Sequence, residues 1–98
     1  MTILKPKKQM LKLVEVLLPT NNRDGSSAYL RETFINSDHI ISITQDVNAA
    51  ALHAEGRMPP GLHDAQQFSK LSLSNGQEMV VVGNPSLIQS KAKKVIHG

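Results

Sequence analysis

The chain reads Phe68-Ser-Lys-Leu-Ser-Leu-Ser-Asn75-Gly76-Gln-Glu-Met-Val-Val-Val-Gly-Asn-Pro85-Ser-Leu-Ile88 in its last third, and this segment specifies more of the architecture than any other. An Asn-Gly pair stands between two runs rich in apolar residues. That pattern is the strongest short-range signal for a β-hairpin, because a type I′ turn needs positive φ at both central residues. Asn84-Pro85 then ends the second strand and begins a helix. The segment therefore predicts a hairpin followed by a helix.

A two-residue turn at Asn75-Gly76 also predicts the register of this hairpin. It pairs Leu71 with Val80 and Lys70 with Val81, and directly opposed residues share a face of the sheet. One face, predicted to be the inner one, then consists of Leu71, Leu73, Val80 and Val82. The other face is only half polar and is predicted as a partner-binding surface; it consists of Lys70, Ser72, Met79 and Val81.

The rest of the chain supplies more strands and one long connection. Three further strands are expected at residues 10–18, 28–35 and 40–45, with a tight corner at 36–39 between the last two. Residues 46–66 form a long connection, which holds a short helix with Asn48 as its expected N-cap. The closing helix, 85–97, places its apolar residues at helical spacing: Leu87, Ile88, Ala92 and Val95.

These elements predict an α+β fold, a small and mainly antiparallel sheet of four or five strands with a C-terminal amphipathic helix. Residues 1–9 are interpreted as a basic N-terminal leader and residues 10–97 as a single domain.

Charge divides the chain into basic ends and a mildly acidic body. Residues 13–90 carry four basic and eight acidic residues, although the whole chain has a net charge of +3. A nucleic-acid-binding domain usually has a basic face on its folded body, whereas basic ends are more often solvated. DNA binding is therefore the alternative function, with phosphate contacts from Lys5, Lys7, Lys8, Lys91, Lys93 and Lys94.

Several classes of function are disfavoured by composition. The chain has no cysteine, so disulfides and thiolate metal sites are not available. No apolar run approaches the roughly 18 residues of a membrane span, and no secretory signal is visible. Neither of the two common glycine-rich phosphate-binding motifs occurs, so no cofactor is expected. We expect a cytoplasmic protein that is not an enzyme.

Two groups of polar residues are of the types found in metal sites and in acid–base catalysis. Imidazole and carboxylate groups in the long connection could bind a transition metal, but their spacing matches no strong zinc signature; they are His53, Glu55, His63 and Asp64. Asp38 and His39 are residue types used in acid–base catalysis. A catalytic histidine also needs a positioned partner and a nucleophile or substrate pocket. We favour the interpretation that the first four are scattered polar loop residues and that Asp38 and His39 are structural residues of the corner.

Two segments together carry a family resemblance: Phe34-Ile-Asn-Ser-Asp-His-Ile-Ile-Ser-Ile43 and Leu71-Ser-Leu-Ser-Asn-Gly-Gln-Glu-Met-Val-Val-Val-Gly-Asn-Pro-Ser-Leu-Ile88. A strand that enters an Ile-Asn-x-Asp-x-Ile corner, followed by an Asn-Gly hairpin and a helix, resembles the small FlbD-type proteins encoded among bacterial flagellar genes. The pattern is also similar to small β modules of phages and to parts of LytTR-type DNA-binding domains. The resemblance implies a small regulatory or accessory protein without an established catalytic centre.

The sequence thus predicts a non-enzymatic protein that acts through protein–protein contacts. A small open sheet has edge strands, and edge strands pair with other chains unless they are blocked. Homodimerisation through such an edge, or through the half-polar face of the hairpin, is the expected mode of action.

Overall fold

Five strands and two α-helices make up the part of the chain that the structure describes. The computed structural model describes residues 10–18 and 28–97, with side chains as far as Lys93. The elements are β1 (Met10–Leu17), β2 (Tyr29–Asn36), a 3-10 turn (Ser37–His39), β3 (Ile40–Gln45), α1 (Val47–Ala54), β4 (Phe68–Leu73), β5 (Glu78–Val82) and α2 (Pro85–His97). The predicted small α+β fold with a C-terminal helix is confirmed. The predicted basic leader, residues 1–9, lies outside the described residues.

The strands form one antiparallel sheet in the order β2-β1-β5-β4-β3. The two edge strands, β2 and β3, are consecutive in the chain and are joined by Ser37–His39 alone. Four residue steps reach about 14 Å at most, whereas the edges of a flat five-stranded sheet lie about 19 Å apart. The sheet therefore has to curl until the end of β2 approaches the start of β3.

The side of the sheet that α2 covers holds one of the two hydrophobic cores. Every strand contributes to it, and α2 covers it by inserting Ile88, which has no exposed surface. The fully or almost fully buried members are Leu11, Leu13, Leu71, Val81 and Ile88, with Ile35, Ile40, Ile43, Leu73, Met79 and Ala92 packed around them. We call this side the inner face.

The long connection covers part of the opposite side, which we call the outer face. Helix α1 packs there against β4, and Phe68 is completely buried beneath it. Val16, Ala28, Ala49 and Met58 complete the buried part of this second cluster. The connection is tied to the sheet by main-chain hydrogen bonds from Ala28 N to Arg57 O and from Asp46 N to Phe68 O, both 2.9 Å.

The predicted register of the β4–β5 hairpin is wrong by one residue. The turn has three residues, 74–76: Gly76 N donates to Leu73 O and Leu73 N donates to Gln77 O, both at 2.9 Å. A type I′ turn would need positive φ at Asn75, but among the described residues only glycines have positive φ, and Gly76 has φ +88°. Leu71 consequently lies opposite Met79, and Lys70 opposite Val80.

This shift separates the predicted partner-binding residues Lys70, Ser72, Met79 and Val81. Val81 has no exposed surface and Met79 packs beside it in the inner core. Lys70 and Ser72 lie on the outer face instead, and Lys70 forms an ion pair with Glu78 at 3.8 Å. The four residues do not form one surface.

Both helices begin at side-chain caps. Asp46, not the predicted Asn48, caps α1: its Oδ1 accepts a hydrogen bond from Asn48 N at 3.1 Å. Asn84 caps α2, because its Oδ1 accepts from Leu87 N at 2.8 Å. The residue before it, Gly83, has φ +119°, and a Cβ there would lie 3.2 Å from Ile88 Cδ1. A glycine is therefore required where β5 meets α2.

Candidate functional site

Strand β2 is a regular edge strand with one side unpaired among the described residues. All eight of its residues pair with β1, from Tyr29 opposite Leu17 to Asn36 opposite Met10. The register has no interruption, and the strand contains neither proline nor lysine. Proteins usually protect edges with such residues, with bulges or with covering segments, because unpaired N–H and C=O groups are a template for another chain. β2 has no proline, lysine or bulge, and its two charged side chains, Arg31 and Glu32, are paired with residues of β1.

The other edge, β3, differs from β2 in two respects. Its pairing with β4 is shifted between Ile40 and Ser42, which bulges the strand and exposes 67 % of Ile41. Helix α2 also lies along it, and the two elements enclose a groove of about 300 Å³ lined by Ile40, Ile41, Ser42, Ile43, Pro85, Ser86 and Gln89. A bulge and an adjacent helix both hinder the addition of a further strand.

The charges of the β1–β2 hairpin are paired within the hairpin. Arg31 donates to Glu15 Oε1 at 2.9 Å on the inner face, and Lys12 lies 3.4 Å from Glu32 on the outer face. Each pair joins β1 to β2 and is partly exposed. The two pairs cancel in charge, so the edge of β2 does not repel a second copy through its net charge.

Phe34 is a large and mostly exposed apolar residue on the outer face of β2. It stands opposite Lys12 on β1 and is 58 % exposed, although β1 and β2 are well paired around it. An aromatic side chain of this size loses substantial hydrophobic stabilisation while it stays in water. Phe34 therefore adds an exposed apolar side chain beside the edge of β2 that pairs with no other described strand.

The lysines of the alternative function are only partly within the described residues. Lys91 and Lys93 lie on α2 and are exposed. Lys5, Lys7 and Lys8 lie outside the described residues, and the side chain of Lys94 is not described either. Of these lysines, the structure thus describes the side chains of Lys91 and Lys93 alone.

A histidine and a serine meet at the corner after β2. His39 Nδ1 lies 2.9 Å from Ser74 Oγ, and Ser74 N donates to His39 O at 2.8 Å. Both side chains are exposed, and no hydrogen bond from Asp38 to the imidazole is seen; Asp38 N instead donates to Asn36 Oδ1. The contact joins the corner to the β4–β5 hairpin, and it lacks the third group that orients a catalytic histidine.

Two of the four candidate metal ligands, His53 and His63, form hydrogen bonds with main-chain atoms of the connection. His53 Nε2 lies 2.7 Å from His63 O, and His63 Nδ1 accepts from Ala65 N at 3.1 Å. The His53 ring also packs edge-on against Phe68, with centroids 5.9 Å apart. Glu55 pairs with Arg57 at 3.7 Å, and Asp64 is exposed. Within the described ranges, no group of three or more His, Asp or Glu residues is arranged to hold a metal ion.

Comparison with known proteins yields no relative: no family model, curated protein or solved structure matches this chain. The resemblance to FlbD-type proteins therefore stays a prediction. Of the helices described, none has the length and apolar character needed to cross a membrane.

The sequence predicts an interaction edge in general but does not identify β2 as that edge. The position of β2 depends on the pairing of Glu15 with Val81 and of Val16 with Val80, which are far apart in the chain. A local pattern carries no signal for such pairing. The alternation in Tyr29–Asn36 does predict that Phe34 shares a face with Glu32, but not that this face is uncovered.

Proposed function

We propose that this chain is a small non-enzymatic regulatory or accessory protein of the cytoplasm that works as a homodimer. The contact is main-chain pairing along the free edge of β2. The observation that carries the proposal is the combination of an uninterrupted eight-residue edge strand with a largely exposed Phe34 upon it. Addition of a strand to an exposed edge is a common mode of protein recognition, in which main-chain hydrogen bonds supply affinity and side chains supply specificity.

Two features of the β2 edge, together with the general symmetry of oligomers, support a second copy as the partner. The edge is regular, so a second β2 can pair with it over several residues. Its charged residues are neutralised inside each copy, as described above for Arg31 and Glu32. Most soluble oligomers are symmetric homo-oligomers, and a two-fold dimer uses the same patch on both subunits.

The experiment is light scattering during size-exclusion chromatography, over a range of protein and salt concentrations. We expect a dimer that persists at high salt, because main-chain hydrogen bonds and apolar contacts are weakly screened. Phe34→Glu should shift the protein towards monomer, whereas its control Ile41→Glu should not. Both variants place a carboxylate at an exposed apolar position of an edge strand. At position 34 this carboxylate lies opposite Lys12 of the same chain, so no like charge opposes it within the monomer. Circular dichroism checks that both variants fold.

A native protein that is monomeric at every concentration would contradict the homodimer. If that monomer also binds duplex DNA with an affinity that falls steeply with salt, the lysines are the functional groups, since neutralised phosphates release counterions. Loss of the dimer in Ile41→Glu with retention in Phe34→Glu would move the interface to β3.

A further inference from the structure

The β2 edge also specifies how two copies fit together, and this inference rests on the proposed homodimer. Directly opposed residues of an antiparallel pair lie on the same face of the sheet. In a symmetric pair of identical strands the two-fold axis therefore passes through a residue that stands opposite its own copy. For the central part of β2 the candidates are Arg31, Glu32, Thr33 and Phe34.

Charge eliminates two of these axes. An axis at Arg31 places two guanidinium groups directly opposite each other, and an axis at Glu32 does the same with two carboxylates. Like charges that are directly opposed across two strands are destabilising. The ion pairs with Glu15 and Lys12 reduce this repulsion, but both pairs are partly exposed and do not remove it.

Length and contacts decide between the two axes that remain. An axis at Thr33 pairs seven residues of β2, 30–36, with their counterparts, whereas an axis at Phe34 pairs only five, 32–36. The Thr33 axis places two threonines opposite each other, which is a favourable cross-strand pair. It places Arg31 opposite Ile35 and Glu32 opposite Phe34, so no like charges are opposed.

The Thr33 axis also covers Phe34. The two copies of Phe34 become diagonal neighbours across the axis on the outer face, about 7–8 Å apart, which is within the reach of aromatic side chains. The 58 % exposure of Phe34 in the single chain is then reduced in the dimer. We propose that two copies of this protein join their β2 strands antiparallel about a two-fold axis at Thr33, which makes one continuous ten-stranded sheet.

The natural chain has no cysteine, so single cysteines report this register without background. The variants are Arg31→Cys, Glu32→Cys, Thr33→Cys and Phe34→Cys, with Thr44→Cys on edge strand β3 as the control for random collision. At the axis the two Cα atoms lie about 4.5–5.5 Å apart, within the range of a disulfide. After mild oxidation we expect Thr33→Cys to form covalent dimer at least tenfold faster than the other four variants.

A second test uses charge at position 34, which faces Glu32 of the other copy in the proposed register. Phe34→Glu should raise the dimer dissociation constant about tenfold, and Phe34→Lys should bring it back towards the native value, because opposed unlike charges attract. With the axis at Phe34, both variants would oppose like charges and both would weaken the dimer.

The outcomes separate the register from the homodimer itself. Fastest cross-linking at Arg31→Cys, Glu32→Cys or Phe34→Cys, or equal weakening by Phe34→Glu and Phe34→Lys, would overturn the Thr33 axis and leave the β2 homodimer in place. Cross-linking of every variant at the rate of Thr44→Cys, together with a monomer in light scattering, would overturn both.

Discussion

Truncation of Ile88 tests whether α2 holds the curled sheet together. Ile88 has no exposed surface and belongs to one buried cluster with Leu11, Leu13, Leu71 and Val81, which lie on three strands. Ile88→Ala removes three carbon atoms, worth about 2.4 kcal/mol at roughly 0.8 kcal/mol each. The remaining cavity adds to this loss, and measured truncations of this kind cost about 2–5 kcal/mol. We expect Ile88→Ala to lower the free energy of unfolding by about 3–4 kcal/mol.

The neighbouring residue provides a matched control. Leu87→Ala also removes three carbon atoms from α2, but Leu87 is 47 % exposed and lies outside the buried cluster. About half of the transfer free energy is then already lost in the native protein, and no closed cavity forms. We expect a loss of about 1 kcal/mol.

Urea unfolding followed by circular dichroism measures both effects. The comparison is made at one protein concentration, because the apparent stability of an oligomer depends on concentration. A domain with a total stability of about 5–15 kcal/mol would show a much lower midpoint for Ile88→Ala at an unchanged slope. Equal losses in the two variants, or a loss below about 1 kcal/mol for Ile88→Ala, would mean that α2 does not pack on the inner face as described.

Three further predictions concern the joints of the fold, each measured by thermal unfolding of a variant and its control. Gly83→Ala should destabilise the protein more than Gly61→Ala. Both glycines have positive φ, which strains a substituted residue by about 1–3 kcal/mol, but only at Gly83 does a Cβ meet other side chains. Equal losses of stability would show that those side chains move aside freely. Ser69→Ala should lower the free energy of unfolding by about 1–3 kcal/mol, because the buried hydroxyl donates to Gly83 O at 2.7 Å. The control Ser72→Ala should change it by less than about 0.5 kcal/mol. An unchanged stability of Ser69→Ala would contradict this hydrogen bond. Asp46→Ala should lower the free energy of unfolding by about 1 kcal/mol through loss of the α1 N-cap, and Asn48→Ala should lower it clearly less. A larger loss for Asn48→Ala would indicate that Asn48 is the N-cap.

Local patterns were sufficient to predict the strands and the closing helix. Alternation and the turn-forming residues predict β1, β2 and β3 to within a residue at each end, and Asn84-Pro85 predicts the start of α2. These features depend on neighbours in the chain. Asn36 behaves as expected at the corner too, since its side chain accepts a hydrogen bond from Asp38 N.

The register of the β4–β5 hairpin depends on whether its turn has two or three residues, and the sequence is compatible with both. Asn-Gly fits a two-residue turn, in which both residues have positive φ, and equally a three-residue turn, in which only the glycine does. The three-residue turn places Met79 and Val81 beside Leu71 in the inner core and leaves Val80 and Val82 for the outer cluster. Because both faces of β5 are apolar, its residues fit either register. The prediction that Lys70, Ser72, Met79 and Val81 share one face depended on that choice and was therefore wrong.

The free edge of β2 follows from the corner between β2 and β3. Along the order β2-β1-β5-β4-β3 every neighbour is antiparallel, so β2 and β3 run in the same direction. Two parallel neighbours need a crossover of about a dozen residues or more, whereas Ser37–His39 provides three. The corner therefore prevents β2 from pairing with β3, although consecutive strands are usually neighbours. Both strands are left as edges, and only β3 has a bulge and a helix beside it. The same short corner thus leaves β2 without a second neighbouring strand among the described residues, and this is the edge at which we propose that a second copy pairs.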